Sequence, residues 1–168
     1  MPGRAIFSES SDTESHGRKL YSLFAKNRWA YLAQSGNNAP SPFGQIVVKE
    51  SWVPEEVKDG ERKHTVEKAI KPLRHEPIDP YAAKDSFEPF AEKDGKLFKA
   101  TKLAGLFVMM KLDPTTPDTD DGWVYGTVSA DLKTVTAVGK IESCMECHVK
   151  AKADRLFGLK SADGSVRR

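Results

Sequence analysis

Apolar positions along this chain fall into helical and alternating runs, separated by polar stretches rich in proline. From Gly17 to Ser35, the residues Leu20, Leu23, Phe24, Trp29, Tyr31 and Leu32 supply an apolar stripe at helical spacing. Gly36-Asn37-Asn38 ends that stripe and Pro40-Ser41-Pro42 turns the chain, so an N-terminal amphipathic helix is expected. Gln45 to Trp52 is β-rich through Ile46, Val47 and Val48 and predicts a strand. Pro54 and Asp59-Gly60 mark a loop or hairpin, and Lys63 to Ile70 is read as a paired strand. Lys71 to Gly95 carries Pro72, Pro77, Pro80 and Pro89 among many charges and reads as a long irregular excursion, with Phe87 and Phe90 packing back. Leu97 to Leu112 regains strand character, with Gly105 at a bulge. Asp113 to Gly122 is a polar loop. Trp123 to Ser129 alternates, with Trp123, Tyr125 and Thr127 on one face. Ala130 to Lys133 is a hairpin turn, Thr134 to Ile141 the return strand, and Val149 to Phe157 a short helix closed by Gly158.

Strands without helical crossovers, bracketed by helices, predict an α+β fold: an antiparallel β-sheet with an N-terminal helix and a C-terminal helix. A length of 168 residues suits one domain, taken as 17–160, between a disordered polar tail at 1–16 and a flexible tail at 161–168. Hydrophobic residues make up 39% and charged residues 30%, so the core is modest. A net charge of +2 gives no argument for nucleic acid or an anionic membrane as partner. The longest apolar run, Leu103 to Met110, has the length of a buried strand and is too short for a membrane span.

The chemistry concentrates in Cys144-Met145-Glu146-Cys147-His148, which holds both cysteines of the chain. C-x-x-C-H is the signature of c-type haem attachment. Two thiols three residues apart reach the two vinyl groups of one porphyrin edge, and the adjacent imidazole ligates the iron. A thioredoxin-like C-x-x-C normally follows an early strand in a βαβ setting, whereas this motif lies near the C-terminus. A zinc site needs four ligands, and only His16, His64 and His75 remain to complete one. The expected cofactor is therefore one covalent haem c, held by Cys144 and Cys147 with His148 as metal ligand, on the C-terminal haem-binding helix. Arg155, Lys150 and Lys152 are candidates to meet the haem propionates, the alternative being a solvated helix face. Met109 or Met110, and His64 or His75, are the alternatives for a sixth ligand, set against core packing for the methionines. Met1 to His16 has no apolar segment of the kind an export signal needs. Because haem c is attached outside the bacterial cytoplasmic membrane, a periplasmic location is expected, with the export signal removed.

Four segments carry a resemblance: Phe43-Gly44-Gln45-Ile46-Val47-Val48-Lys49-Glu50, Val108-Met109-Met110-Lys111, Gly122-Trp123-Val124-Tyr125, and Ser143-Cys144-Met145-Glu146-Cys147-His148 followed by Asp154-Arg155-Leu156-Phe157. In their order and spacing, from Lys19 to Gly158, the chain resembles the cytochrome P-460 / cytochrome c′-beta family of monohaem proteins. The resemblance implies a periplasmic homodimer, rich in β-sheet, with a five-coordinate haem open on its distal side.

The two branches of that family imply different functions. Cytochrome P-460 oxidises hydroxylamine and carries a lysine cross-linked to its haem. The c′-beta branch lacks the cross-link and binds nitric oxide and carbon monoxide. Lys49 lies on the strand where the cross-linking lysine is expected, and its alternative is an edge-strand lysine facing solvent. Hydroxylamine oxidation also calls for a distal proton acceptor. Glu50, Glu67 and Asp131 are the carboxylates nearest the strands, and each reads more simply as a surface charge. Phe87, Phe90, Phe98 and Phe107 are candidates for an apolar distal cap, or plain core. The expected function is a five-coordinate haem protein binding nitric oxide or related small nitrogen species. The alternatives are a hydroxylamine-oxidising enzyme and a monohaem electron-transfer cytochrome with a redox partner protein.

Overall fold

A computed structural model describes residues 6–8, 10, 16–37, 39–58 and 90–158, with the backbone alone for 34–37. The described chain is mostly antiparallel β-sheet with two short helices. In chain order the elements are β1 (Ile6–Phe7), β2 (Leu20–Ala25), α1 (Arg28–Asn37), β3 (Ile46–Glu56), β4 (Phe90–Lys93), β5 (Lys96–Lys111), β6 (Trp123–Val128), β7 (Val135–Gly139) and α2 (Glu142–His148). The strand order is β1-β2-β3-β5-β6-β7, and β4 pairs with β5. The chain divides into two compact units, one of residues 1–22 and 50–104, the other of residues 23–49 and 105–168.

The first unit is built on hairpin pairing. Asp94 and Gly95 both have positive φ, 52° and 74°, the combination a two-residue type I′ hairpin turn needs. That turn sets Phe90 opposite Lys99 and Lys93 opposite Lys96. Leu20 and Ala91 are buried there with Phe7, Trp52, Phe98 and Ala100 around them, and Val57, Phe90 and Leu97 form a second cluster. Phe98 meets Phe7 edge to face at 5.1 Å.

In the second unit, β5 and β6 pair from Leu106↔Val128 to Lys111↔Trp123. Gly105, just before that register begins, has φ 129°. A Cβ there would lie 2.7 Å from the Val128 carbonyl oxygen, so only glycine fits the bend. The core of this unit is Tyr31, Val47, Met109, Trp123, Tyr125 and Leu156. Buried Gln45 ties the start of α1 to β3: its side-chain oxygen accepts from the Asn27 N–H at 2.8 Å, and its amide donates to the Asn27 carbonyl at 2.9 Å. The Asn27 side chain in turn accepts from Ala30 N–H at 2.9 Å, an N-cap for α1.

Three expectations change. The apolar stripe from Gly17 splits into β2 and then α1, rather than one helix, because Tyr21 and Leu20 pair with Ile6 and Phe7. Ile6 and Phe7, inside the stretch read as a disordered tail, are thus a strand. The second correction concerns the C-terminal helix. It is the motif itself, at 142–148, that is helical, and Val149 to Gly158 is a series of turns. Asp154 and Arg155 have φ of 48° and 68°, which an α-helix excludes. Third, Phe90 to Gly95 is hairpin rather than irregular loop. The strand expected at 63–70, and residues 71–89 of the loop, lie outside the described residues.

Candidate functional site

The helix α2 begins at Glu142 after Ile141, with Cys144 and Met145 N–H groups both donating to the Ile141 carbonyl at 3.1 Å. Val149 N–H returns to the Met145 carbonyl at 2.9 Å and Ala151 N–H to the His148 carbonyl at 3.0 Å, which closes the helix. None of its residues is fully buried. Ile141, Cys144 and Met145 nonetheless pack against the core of Tyr31, Val47, Met109, Trp123, Tyr125 and Leu156. Both cysteines are free thiols. Burial, and then the neighbouring Cys147, push the Cys144 thiol above its ordinary pKa, against a hydrogen bond from Ser143.

His148 is held on three sides. Its ring lies 5.6 Å from that of Tyr125 and 5.3 Å from that of Phe157. Its Nδ1 is 2.6 Å from the Arg155 carbonyl oxygen. A carbonyl can only accept, so Nδ1 carries the proton and Nε2 keeps a lone pair. Burial lowers the His148 pKa most. The Arg155 hydrogen bond opposes that shift, the Lys49 charge adds to it, and Asp120 opposes it. The resulting neutral imidazole, with a tied Nδ1–H and an available Nε2, is the form in which histidine ligates metals.

The acceptor carbonyl belongs to an unusual turn. Ala153 and Leu156 form an antiparallel bridge, with Leu156 N–H donating to the Ala153 carbonyl at 2.9 Å. Between them Asp154 and Arg155 both take left-handed conformations, as in a type I′ turn. For a non-glycine residue that conformation costs about 1–2 kcal/mol. Side-chain bonds offset the cost. The Asp154 carboxylate accepts from Ser41 N–H at 2.6 Å and from Lys111 Nζ at 3.0 Å. Lys111 Nζ also donates to the Asp121 carbonyl at 2.7 Å. Arg155 forks onto Asp120, with Nε 3.1 Å from Oδ2 and a terminal nitrogen 3.0 Å from Oδ1. The Tyr125 hydroxyl donates to the same Oδ2 at 2.7 Å. Burial alone raises the Asp120 pKa, but bonds from Arg155 and Tyr125 with the charges of Arg155 and Lys140 outweigh it and hold the carboxyl below its ordinary value. Asp154 behaves likewise, burial being outweighed by the Ser41 and Lys111 bonds and the Lys111 charge. Tyr125 is driven far above the ordinary phenol range by burial first and by Asp120 second.

Of the residues singled out from sequence, Cys144, Cys147, His148 and Arg155 lie together here. The Arg155 guanidinium is engaged by Asp120, and Lys150 and Lys152 are exposed in the turns after α2. Lys49 is half-buried on β3, two residues from Val47 and so on the same face of the strand. Its charge acts on His148. Met109 belongs to the core that Cys144 and Met145 pack against, while Met110 is 36% exposed. Phe90 and Phe98 sit in the clusters of the first unit. Asp131 is a turn residue whose carboxylate accepts from Ser129 Oγ and Lys133 N–H. His64, Glu67, His75 and Phe87 lie outside the described residues. The residues the sequence did not single out for the site are Ser41, Lys111, Asp120 and Tyr125. Lys111 had a signal: it ends an apolar strand on the parity of buried Met109. Asp120 had none, since Asp118 and Asp121 flank it in the same polar loop.

Comparison with protein-family models finds no match to this chain, and comparison with curated proteins finds none.

Among the described residues no helix is long and apolar enough to cross a membrane. The donor set fits a covalently bound haem: two free thiols at i and i+3 on one helix, then an imidazole whose tautomer leaves Nε2 to ligate.

Proposed function

We propose that this chain is a periplasmic c-type haem protein of the cytochrome P-460 / cytochrome c′-beta kind. In this reading Cys144 and Cys147 hold the haem and His148 is the one protein ligand to iron. The observation that carries the reading is the 2.6 Å bond from His148 Nδ1–H to the Arg155 carbonyl, beside two free thiols. It presets the imidazole for metal binding, a restraint that a dithiol redox pair does not call for at this residue, and a zinc site is disfavoured instead by its need for four ligands. Bound there, haem would supply iron to which a small ligand could coordinate. The protein's part is to orient His148 between Tyr125 and Phe157, keep it neutral, and pack the thiol-bearing helix on an apolar core. The ligand proposed is nitric oxide or a related small nitrogen species, and the assembly a homodimer.

Lys49 favours a second reading, hydroxylamine oxidation on a lysine-linked haem. Lys49 shares a strand face with Val47, a member of the core that Cys144 and Met145 pack against, and its charge acts on His148. Expression with a c-type maturation system separates the readings. A high-spin ferrous spectrum that changes on adding nitric oxide supports the first. A strongly red-shifted ferrous Soret band, with a tryptic peptide joining Lys49 to haem and turnover of hydroxylamine, supports the second. A low-spin ferrous spectrum indifferent to carbon monoxide overturns both and leaves electron transfer to a partner protein. Light scattering after size exclusion tests the homodimer.

A further inference from the structure

The bond that orients His148 ends on a main-chain carbonyl, so no side-chain substitution removes it directly. What can be changed is the turn that presents the carbonyl. Arg155 has φ 68°, a conformation unfavourable for a long side chain, and glycine or asparagine would adopt it more easily. The chain instead places there a residue whose guanidinium reaches Asp120 through two bonds, at 3.1 and 3.0 Å. Asp120 is 8% exposed and is itself fixed by a reciprocal pair of 2.9 Å backbone bonds with Trp123. One of its oxygens also receives the Tyr125 hydroxyl, and the Tyr125 ring lies 5.6 Å from that of His148. One carboxylate therefore restrains both the carbonyl below Nδ1 and the ring beside it.

We infer that Asp120 is a positioning residue for His148, acting through Arg155 to hold the turn whose carbonyl fixes the imidazole tautomer. Its effect on the tautomer needs no cofactor. Its effect on iron rests on the function proposed above. In the free chain, His148 is the Nδ1–H tautomer because the carbonyl is held 2.6 Å away. With haem bound, the same bond would make the imidazole a stronger donor to iron, strengthening the iron–histidine bond and lowering the reduction potential. Losing Asp120 releases the guanidinium, lets the turn relax toward negative φ, and withdraws the carbonyl.

The test uses the full chain, first without haem and labelled with nitrogen-15 histidine. At about pH 8 an unperturbed imidazole is neutral. There the wild type gives a single Nδ1–H tautomer at His148, and D120N gives a mixture with Nε2–H. R155Q removes the guanidinium without touching Asp120, so it gives the D120N result should D120N not fold. In the haem-bound chain, D120N and R155Q lower the iron–histidine stretching frequency and raise the reduction potential, changes that lost stability alone does not produce. Folded D120N and R155Q proteins with an unchanged tautomer and an unchanged stretching band overturn the inference. Failure of the maturation host to attach haem counts against the proposed function only, because the tautomer shift in the free chain still decides the role of Asp120.

Discussion

The Lys111–Asp154 pair permits a worked prediction. Nζ and Oδ1 are 3.0 Å apart, with side chains 3% and 8% exposed. At an effective dielectric of about 20 the attraction is roughly 5 kcal/mol. Desolvating two ions costs several kcal/mol each, so the intact pair is close to neutral for stability. Removing one partner is a different matter, because the other stays buried without its counter-charge. Asp154→Asn is the cleanest perturbation. Asparagine tolerates positive φ and its one amide oxygen can still accept from Ser41 N–H, so the change removes the charge and the acceptor facing Lys111 while sparing the turn. The expected loss is about 3 kcal/mol, the low end for breaking a buried pair, since Lys111 keeps the Asp121 carbonyl. Lys111→Met should cost about as much, and the double variant should fall short of the sum by about 2 kcal/mol. Urea denaturation followed by far-ultraviolet circular dichroism measures all three. The pH dependence has a definite sign. Asp154 has its folded pKa held below the ordinary carboxylate value, so its stabilisation is complete above that value and is lost as pH falls through the folded one. The advantage of wild type over Asp154→Asn should therefore shrink only on acidification below the ordinary carboxylate range. Additive single costs, or a loss below about 0.5 kcal/mol, would refute the reasoning.

Three further outcomes are expected. Cys147→Ala or His148→Ala should abolish normal haem incorporation, read from the pyridine haemochrome spectrum of purified protein, while a fully loaded His148→Ala protein with an unchanged ferrous spectrum would count against His148 as ligand. Gly105→Ala should destabilise by about 2 kcal/mol, because φ 129° is unfavourable for alanine and its Cβ meets the Val128 carbonyl at 2.7 Å; an unchanged urea midpoint would contradict this. Tyr125→Phe should leave phenolate absorbance unaltered through the ordinary tyrosine range, because burial and Asp120 keep that hydroxyl protonated there, and should cost about 1 kcal/mol of stability.

The parts of this fold legible in the sequence are those where one local rule acts alone. Trp123 and Tyr125 alternate with less buried neighbours because one face of β6 meets the core, and period two is visible in any such strand. Gly105 stands out as a lone glycine in an apolar strand and reads as a bulge; what the structure shows there is a close approach to the Val128 carbonyl. The stripe from Leu20 to Leu32 was misread because its first half pairs with Ile6 and Phe7, and the pairing of distant segments leaves no local trace. The segment after His148 was misread for a related reason. Its apolar positions suit a helix, but Asp154 and Arg155 are drawn to Lys111 and Asp120, which are 43 and 35 residues away in sequence. At the site, the motif gave its two thiols and its imidazole directly. The supporting carboxylate could not be chosen, since Asp118, Asp120 and Asp121 look alike until the loop is folded.

The helix that carries the motif spans only seven residues and buries none of them completely. Isolated helices of this length do not persist in water, because nucleation is costly and few bonds follow it. The segment is held by partial packing of Ile141, Cys144 and Met145, a hold that local opening can release while the sheet stays intact. Chemistry at both thiols can therefore take place on a chain whose sheet has already folded. On the proposed function, two thioether bonds would make the porphyrin a covalent brace across one turn of that helix. On that reading the sheet would form first and the cofactor follow, with the last helix becoming permanent only when it is loaded.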